Sequence, residues 1–323
     1  MTLRTGALLL AAAVVSSPCA AQDVDLLSGL REAAHDALSR AARVVASPLR
    51  GPSGRVHAVV RMPGDAIRFL DALPAGVHAE FTAADNAIDP IASPDAPGAW
   101  RLSLRMGELK HEVPDLLILT ALPIDAKRDG RIGDYVLGDW PYERTRVPGS
   151  SAYAPPRGLI EVTPANRDLR VSAHFRLGDL VTKGQADVWP KYVALTMRML
   201  DKVEATLAEL EVMGHPVTHA GILSAFRAPY YNADGGDGPG DASRHVFGDA
   251  MDLYIDNDRD GRMDDLNGDG RRDRRDAAII AEAADRVEAK YPELTGGVGI
   301  YDPRPGVHAG FVHIDARGVR ARW

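Results

Sequence analysis

Apolar positions near the start of the chain fall at helical steps. Leu27, Leu30, Ala34, Leu38, Ala41 and Val45 recur every three or four residues, which predicts an amphipathic helix over 24–46 within a segment 22–50. Pro48 and Gly51 then stop it. From His57 the pattern becomes that of strands: His57–Met62, Trp100–Met106 and Leu116–Leu122, separated by turn residues such as Ser93-Pro94-Asp95 and Arg128-Asp129-Gly130. The segment 51–150 therefore reads as a small β-rich domain. Its histidines, His57, His78 and His111, are scattered singles, and no chemistry is legible in it.

A stretch rich in Pro, Gly and Ser, Val147–Pro156, reads as a linker into a second unit, 151–323, of mixed α and β texture. Trp189–Val212 predicts a helix with Tyr192, Leu195, Met199, Val203, Leu207 and Leu210 on one stripe and Gly214 as its stop. A short strand is expected at 219–224. In 248–255, Met251, Leu253 and Ile255 alternate with Gly248, Ala250, Asp252 and Tyr254, so one face is core and the other carries small residues and a carboxylate. Gly248 and Ala250 suggest room there for a close approach. A second strand, Phe311–Asp315, sets Val312 and Ile314 against Phe311, His313 and Asp315. The expected fold class is α+β.

Composition narrows the classes. The chain has 323 residues, 45% of them hydrophobic, enough for two domains with packed cores and too many for wholesale disorder. Its net charge of −7 argues against nucleic acid as a partner and against a polybasic membrane footprint. Residues 1–21 read as a secretory signal: Arg4, an apolar run from Gly6 to Val15, and Cys19-Ala20-Ala21 as a small-residue cleavage site. The run is too short for a stable membrane span, and Pro18 argues against lipid attachment at Cys19. The expected location is periplasmic or secreted. Cys19 is the single cysteine, so removal of the signal would leave no disulfide, thiol nucleophile or thiolate ligand. Oligomeric state is not legible.

Pairing the strands around 252 and 313 could gather His245, Asp252 and His313. Two imidazoles and a carboxylate suffice for a catalytic Zn²⁺ with its fourth position open. The same spacing also suits a surface histidine beside a satisfied Asp–His pair. No G-x-S-x-G elbow or H-E-x-x-H helix competes.

Here a resemblance enters. Ser243-x-His245-x-x-Gly248-x-Ala250-x-Asp252 resembles the signature of the zinc D-alanyl-D-alanine carboxypeptidases and their peptidoglycan endopeptidase relatives. Phe311-Val-His313-Ile-Asp315, with Gly318 and Arg322-Trp323, is similar to that family's last zinc-ligand strand, and Ser224–Asn232 to its S-[GA]-[FY]-R-[ST]-P-x-x-N segment. The likeness covers about 165–323. It implies a C-terminal zinc peptidase domain with a small antiparallel sheet and flanking helices, preceded by the β-rich domain. It implies His245, Asp252 and His313 as zinc ligands, Arg227 as the holder of a substrate carboxylate, and peptidoglycan peptides as substrate. Ser243 would brace the loop that positions His245. Many relatives carry H-x-H where this chain has Phe311-x-His313, and phenyl cannot move a proton. His308 is the nearest substitute as general acid/base. Asp315 is a second catalytic candidate, or an orienter of His313.

The segment 256–276 alternates oxygen donors with glycine turns, as loops that wrap Ca²⁺ do. Asp265-x-Asn267-x-Asp269-Gly270-x5-Asp276 has EF-hand spacing, and a weaker copy begins at Asp256. Together they resemble thrombospondin type-3 and dockerin-type loops. The expected donors are Asp256, Asp258, Asp260, Asp264, Asp265, Asn267, Asp269, Asp273 and Asp276, with a structural role. Six arginines share the segment, so a solvated loop of offset charge is the alternative. The rival to a peptidase is a catalytically inactive, calcium-binding cell-wall binding or scaffold protein of the same fold.

Overall fold

The computed structural model describes residues 20–46, 51–67, 73, 75–82, 92–141, 143, 153–234 and 243–323. The expected signal segment lies outside these residues up to position 19, as does most of the expected linker. Helix α1 (Ala20–Ala46) covers one face of a sheet built from β1 (Ala58–Arg61), β2 (His78–Thr82), β3 (Gly98–Met106) and β4 (Leu109–Thr120), in the order β1-β4-β3-β2. β3 and β4 join through Gly107-Glu108, where Gly107 at φ +59 supplies the positive φ that a two-residue hairpin requires. Leu38, Ala41 and Ala42 of α1 pack with Val59, Leu102, Leu104 and Ile118.

The opposite face of this sheet is covered as well. Ala58, Leu117 and Leu119 belong to a larger core shared with Trp140, Leu159, Leu200, Leu253 and Ile314. Burial on both faces explains why β1 and the end of β4 read as nearly continuous apolar runs. The larger core also takes Ile132, Tyr135 and Leu137, so packing crosses the boundary expected near 150. The connecting region forms β5 (Leu122–Pro123), the hairpin β6 (Arg131–Ile132) and β7 (Tyr135–Val136), then β8 (Gly158–Val162) and β9 (Lys191–Val193). β9 pairs antiparallel to β8, with Tyr192 opposite Glu161.

β9 corrects the expected helix over Trp189–Val212. Helix α2 spans Met197–Val212 only. Pro190 lacks an N–H and disfavours helix before it, and Tyr192 and Val193 reach the core from a strand. Their helical spacing with Met199 is coincidental.

The last sheet carries the site. It consists of β10 (Ala220–Ser224), β11 (Ala250–Ile255), β12 (Gly297–Tyr301), β13 (Phe311–Asp315) and β14 (Ala321–Arg322), in the order β10-β11-β13-β12-β14. A short helix α3 (Pro229–Asp234) follows β10, and α4 (Arg274–Lys290) lies between β11 and β12. Asp273 caps α4 by accepting from Arg275 N, and Asp276 accepts in return from Asp273 N. Met251, Leu253, Ile255, Val312 and Ile314 share the core with Leu200, Val203 and Leu207 of α2 and Ala277, Ile280 and Ala284 of α4. Strand alternation leaves Asp252, Phe311, His313 and Asp315 for the other face. The architecture is α+β. Among the described residues no helix is long and apolar enough to cross a membrane.

Candidate metal centre

His245 sits in a single 3₁₀ turn, Arg244–Phe247, that ends at Gly248 with φ +70. A Cβ at Gly248 would lie 2.3 Å from the carbonyl of Ala194, and Gly248 O accepts from Thr196 N at 2.9 Å. The close approach expected at this glycine is therefore made by the chain's own backbone rather than by a ligand. Trp140 is fully buried and donates its indole N–H to Val246 O at 2.7 Å, pinning the turn from the middle of the molecule. Ser243 contributes a carbonyl to Val246 N, and its side chain makes no cap bond.

β11 and β13 pair so that Asp252 stands directly opposite His313. Asp252 Oδ1 lies 3.1 Å from His245 Nε2 and 2.8 Å from His313 Nδ1, and the two ring nitrogens are 3.2 Å apart. Three donors at ordinary Zn–N and Zn–O lengths in a tetrahedron are separated by about 3.3 Å. The triangle is close to that figure, and these three residues can hold a metal ion.

The groups behind the triangle set which nitrogens face it. His245 Nδ1–H donates to Ala225 O at 2.6 Å, so a neutral ring presents the Nε2 lone pair inward. His313 places Nε2 3.2 Å from Asp315 Oδ2, which leaves Nδ1 for the centre. A carbonyl behind one ligand and a carboxylate behind the other is the usual support for metal-binding imidazoles. Asp315 is fully buried and is itself held by Gly297 N at 2.8 Å, by Arg317 N and by the Arg317 guanidinium. Beyond it, Lys202 Nζ donates to Asp315 O and Glu288 Oε1, each at 2.7 Å. The spacing on α2 placed Lys202 among core neighbours, and that misplaced charge was its only sequence signal.

Protonation follows the same contacts. Burial pushes His245 down, against the pull of Asp252. Burial would lower His313 too, but its bonds to Asp252 and Asp315 outweigh it and raise the ring above its ordinary value. Burial works to raise Asp252, yet His245 and His313 hold it well below the usual carboxylate range. Asp315 is likewise held low by His313 and Arg317 against its burial.

Of the other expected site residues, Arg227 arrives with a different partner. Its Nη2 donates to Asp252 Oδ2 at 2.6 Å and its Nε to Ser224 Oγ at 2.7 Å, while Nη1 has no partner among the described residues. Asp315 stands behind His313, bonded to its Nε2 and to Arg317. His308 does not join the triangle: its Nδ1 donates to Ala309 O at 2.7 Å and its ring stands edge-on to Phe311 at 5.1 Å. The general acid/base role expected of it has no geometric support here. Phe311 lies flat on Tyr301 at 4.5 Å, and Trp323 packs 5.3 Å from His313 while donating to Tyr301 OH at 2.6 Å. An aromatic wall thus flanks His313. The triad itself is buried, and the half-exposed Trp323 and partly exposed Arg227 stand at its edge.

The acidic segment forms two turns nine residues apart. Asp256 accepts from Asp260 N and Gly261 N, Asp258 from Asp260 N, and Asp260 from Arg262 N. Asp265, Asn267 and Asp269 repeat these bonds with Asp269 N, Gly270 N and Arg271 N. Asp256, Asp258 and Asp260 bring carboxylate oxygens within 4.8 Å of one another. Asp264 accepts from Asn257 N. Asp276, the last of the expected donors, ends its loop at the start of α4. It is buried and accepts from Leu266, Asn267 and Asp273 N–H groups, tying the second turn to α4. Asp273 is spent on its cap and on Arg275.

No match to this chain was found among protein-family models, curated proteins or solved structures.

Proposed function

We propose that this chain is a secreted or periplasmic zinc metallopeptidase that hydrolyses peptide bonds next to D-amino acids in peptidoglycan stem peptides or cross-links. The observation that carries the reading is the His245–Asp252–His313 triangle, with each imidazole's second nitrogen satisfied from behind. Chance polar pairing in a core does not require that both rings turn a lone pair or exchangeable proton toward one shared point. The resemblance of 243–252 and 311–323 to zinc carboxypeptidases and endopeptidases supplies the substrate class.

When bound, zinc with three protein ligands supplies a Lewis acid and lowers the pKa of a coordinated water to about 7. The chain's own groups do the rest. Ala225 O and Asp315 fix the ring orientations. Arg227 holds Asp252 Oδ2 and keeps Nη1 for a substrate carboxylate. The aromatic wall of Tyr301, Phe311 and Trp323 limits water on the His313 side.

In the same reading the two turns at 256–276 bind Ca²⁺ and stiffen the segment beside the centre, with Asp256, Asp258 and Asp260 as the first donor set. The inactive cell-wall scaffold remains the second reading, favoured by Phe311 and by the absence of His308 from the triangle.

Purified protein incubated with zinc and muropeptides, with His313→Ala in parallel, separates the two by mass spectrometry. The peptidase reading expects a new product that needs both zinc and His313 and whose mass identifies the bond cut. Full zinc loading with intact muropeptides would leave the scaffold.

A further inference from the structure

Helix α2 carries a charge into the core of the molecule. Lys202 lies between Leu200 and Val203 and is fully buried, and the buried Glu288 of α4 faces it. Lys202 Nζ donates to Glu288 Oε1 and to the carbonyl of Asp315, each at 2.7 Å. Glu288 Oε1 also accepts from Gly296 N at 3.0 Å, and its Oε2 accepts from Arg322 Nη2 at 2.6 Å. Stability alone gives little reason for such a pair. Burial pulls the Lys202 ammonium below its ordinary value, and its bond to Glu288 and the charge of Asp315 offset this only in part. Apolar side chains of similar volume often replace a buried ion pair without loss of stability.

What the pair does hold is Asp315, and from two sides. Lys202 fixes its main-chain carbonyl. Glu288 fixes Gly296, and the next amide, Gly297 N, donates to Asp315 Oδ1 at 2.8 Å. The fit is close: a Cβ at Gly296 would strike Asp315 O, and one at Gly297 would strike Asp315 Oδ2. With the carbonyl and Oδ1 both set, Oδ2 is left facing His313 Nε2 at 3.2 Å. A bond of that length has only a few tenths of an ångström to spare before it is lost, so the ring depends on where this strand end is kept.

We propose that Lys202 and Glu288 are positioning residues for the metal centre, acting through Asp315 on the orientation of His313 and hence on metal affinity. Neither touches a metal ligand. Arg317 grips the same carboxylate from its more exposed side, so the pair shares the task and does not carry it alone. The inference rests on the metal-binding part of the reading above; hydrolysis does not enter it.

The test measures zinc affinity of the full chain by competition against a chromogenic chelator, beside thermal melting of the metal-stripped protein. Lys202→Met keeps the length of the side chain and removes its donors. It should weaken zinc binding about tenfold, the lower end of the range for groups that stand behind metal ligands. In an Asp315→Asn background the same change should cost nothing further, because the two losses share one route. Leu210→Ala, at a fully buried position about two turns further along α2, should lower the melting temperature and leave zinc affinity unchanged. Glu288→Gln keeps the shape and removes the charge facing Lys202. It should weaken zinc binding in the same direction, and it carries the test if Lys202→Met does not fold. Unchanged zinc affinity in either folded variant would overturn the proposal, as would losses that add to that of Asp315→Asn or an equal loss in Leu210→Ala. A wild-type chain that binds no zinc would overturn the metal centre and this inference with it, whereas zinc binding shared equally by wild type and variants overturns this inference alone.

Discussion

His313 and Asp315 stand two residues apart on one strand, and the first passes its Nε2 to the second's Oδ2 at 3.2 Å. Strand alternation makes this possible, because residues i and i+2 share a face. The carboxylate fixes the imidazole before any metal arrives.

Replacing Asp315 by Asn keeps the shape and removes the charge behind His313. Losses of about 10–100-fold in metal affinity are typical for such partners. Zinc competition against a chromogenic chelator should therefore show a drop of that size for Asp315→Asn, with His313 still in place. Unchanged affinity would make Asp315 a packing residue only.

The four titrating groups give the metal-stripped protein a defined pH profile. Asp252 and Asp315 are held below their ordinary values, so the stability they contribute is present above about pH 4 and is lost as pH falls through their native-state values. His313 is raised, so its contribution is full below about pH 6.5 and is lost as pH rises through its native-state value. His245 is lowered and opposes His313, favouring the neutral ring as pH rises. The Tm of stripped protein should fall on the acid side of about pH 4, and His313→Gln should flatten any decline above about pH 6.5. A wild-type acid limb identical to that of Asp315→Asn would contradict the assignment.

Much of this centre was legible in the sequence because alternation and register act locally. Met251, Leu253 and Ile255 declared one face of β11, and that placed Asp252 on the other. Once β13 was read the same way, His313 could meet it. The supports were not legible: Ala225 offers a backbone carbonyl, which any residue has, and Trp140 reaches Val246 across 106 positions of chain. Pro190 should have shortened the helix expected over 189–212, but the apolar stripe masked it. Closeness in sequence singles out His308 beside the His313 strand, and the turn carries its ring to Phe311.

Trp140→Phe tests the support at Val246. The substitution keeps most of the buried ring and leaves the Val246 carbonyl without its indole donor, which costs about 1–3 kcal/mol when a buried group is orphaned. Denaturant unfolding should show a loss in that range, accompanied by weaker zinc binding because the turn holding His245 loosens. Loss of stability without any change in zinc affinity would separate the turn from the centre.

Gly248→Ala should be more severe. The φ of +70 strains any side chain, and the added methyl would meet the backbone of Ala194 and Leu195. A destabilisation of about 2 kcal/mol or more is expected, since a backbone neighbour cannot rotate away. A Tm within a degree of wild type would show that the 194–195 segment yields.

Calcium provides the last test. The nine-residue repeat of carboxylate-to-backbone bonds shapes both turns before any cation binds, and Asp256, Asp258 and Asp260 then point oxygens at a common volume. A ligand that binds only the folded state stabilises it by about 2.7 kcal/mol at a hundredfold excess over its dissociation constant. Titrating calcium into zinc-loaded protein should raise Tm, and a calcium-selective chelator should reverse the rise while zinc stays bound. Two variants divide the cause. Asp258→Ala removes an exposed donor and should abolish the calcium response with little change in the basal Tm. Asp256→Ala also strips the acceptor of Asp260 N and Gly261 N, so it should lower Tm even without calcium. A Tm indifferent to calcium would leave these turns as solvated loops, their carboxylates offset by arginines such as Arg272, which already spans Asp258 and Asp260.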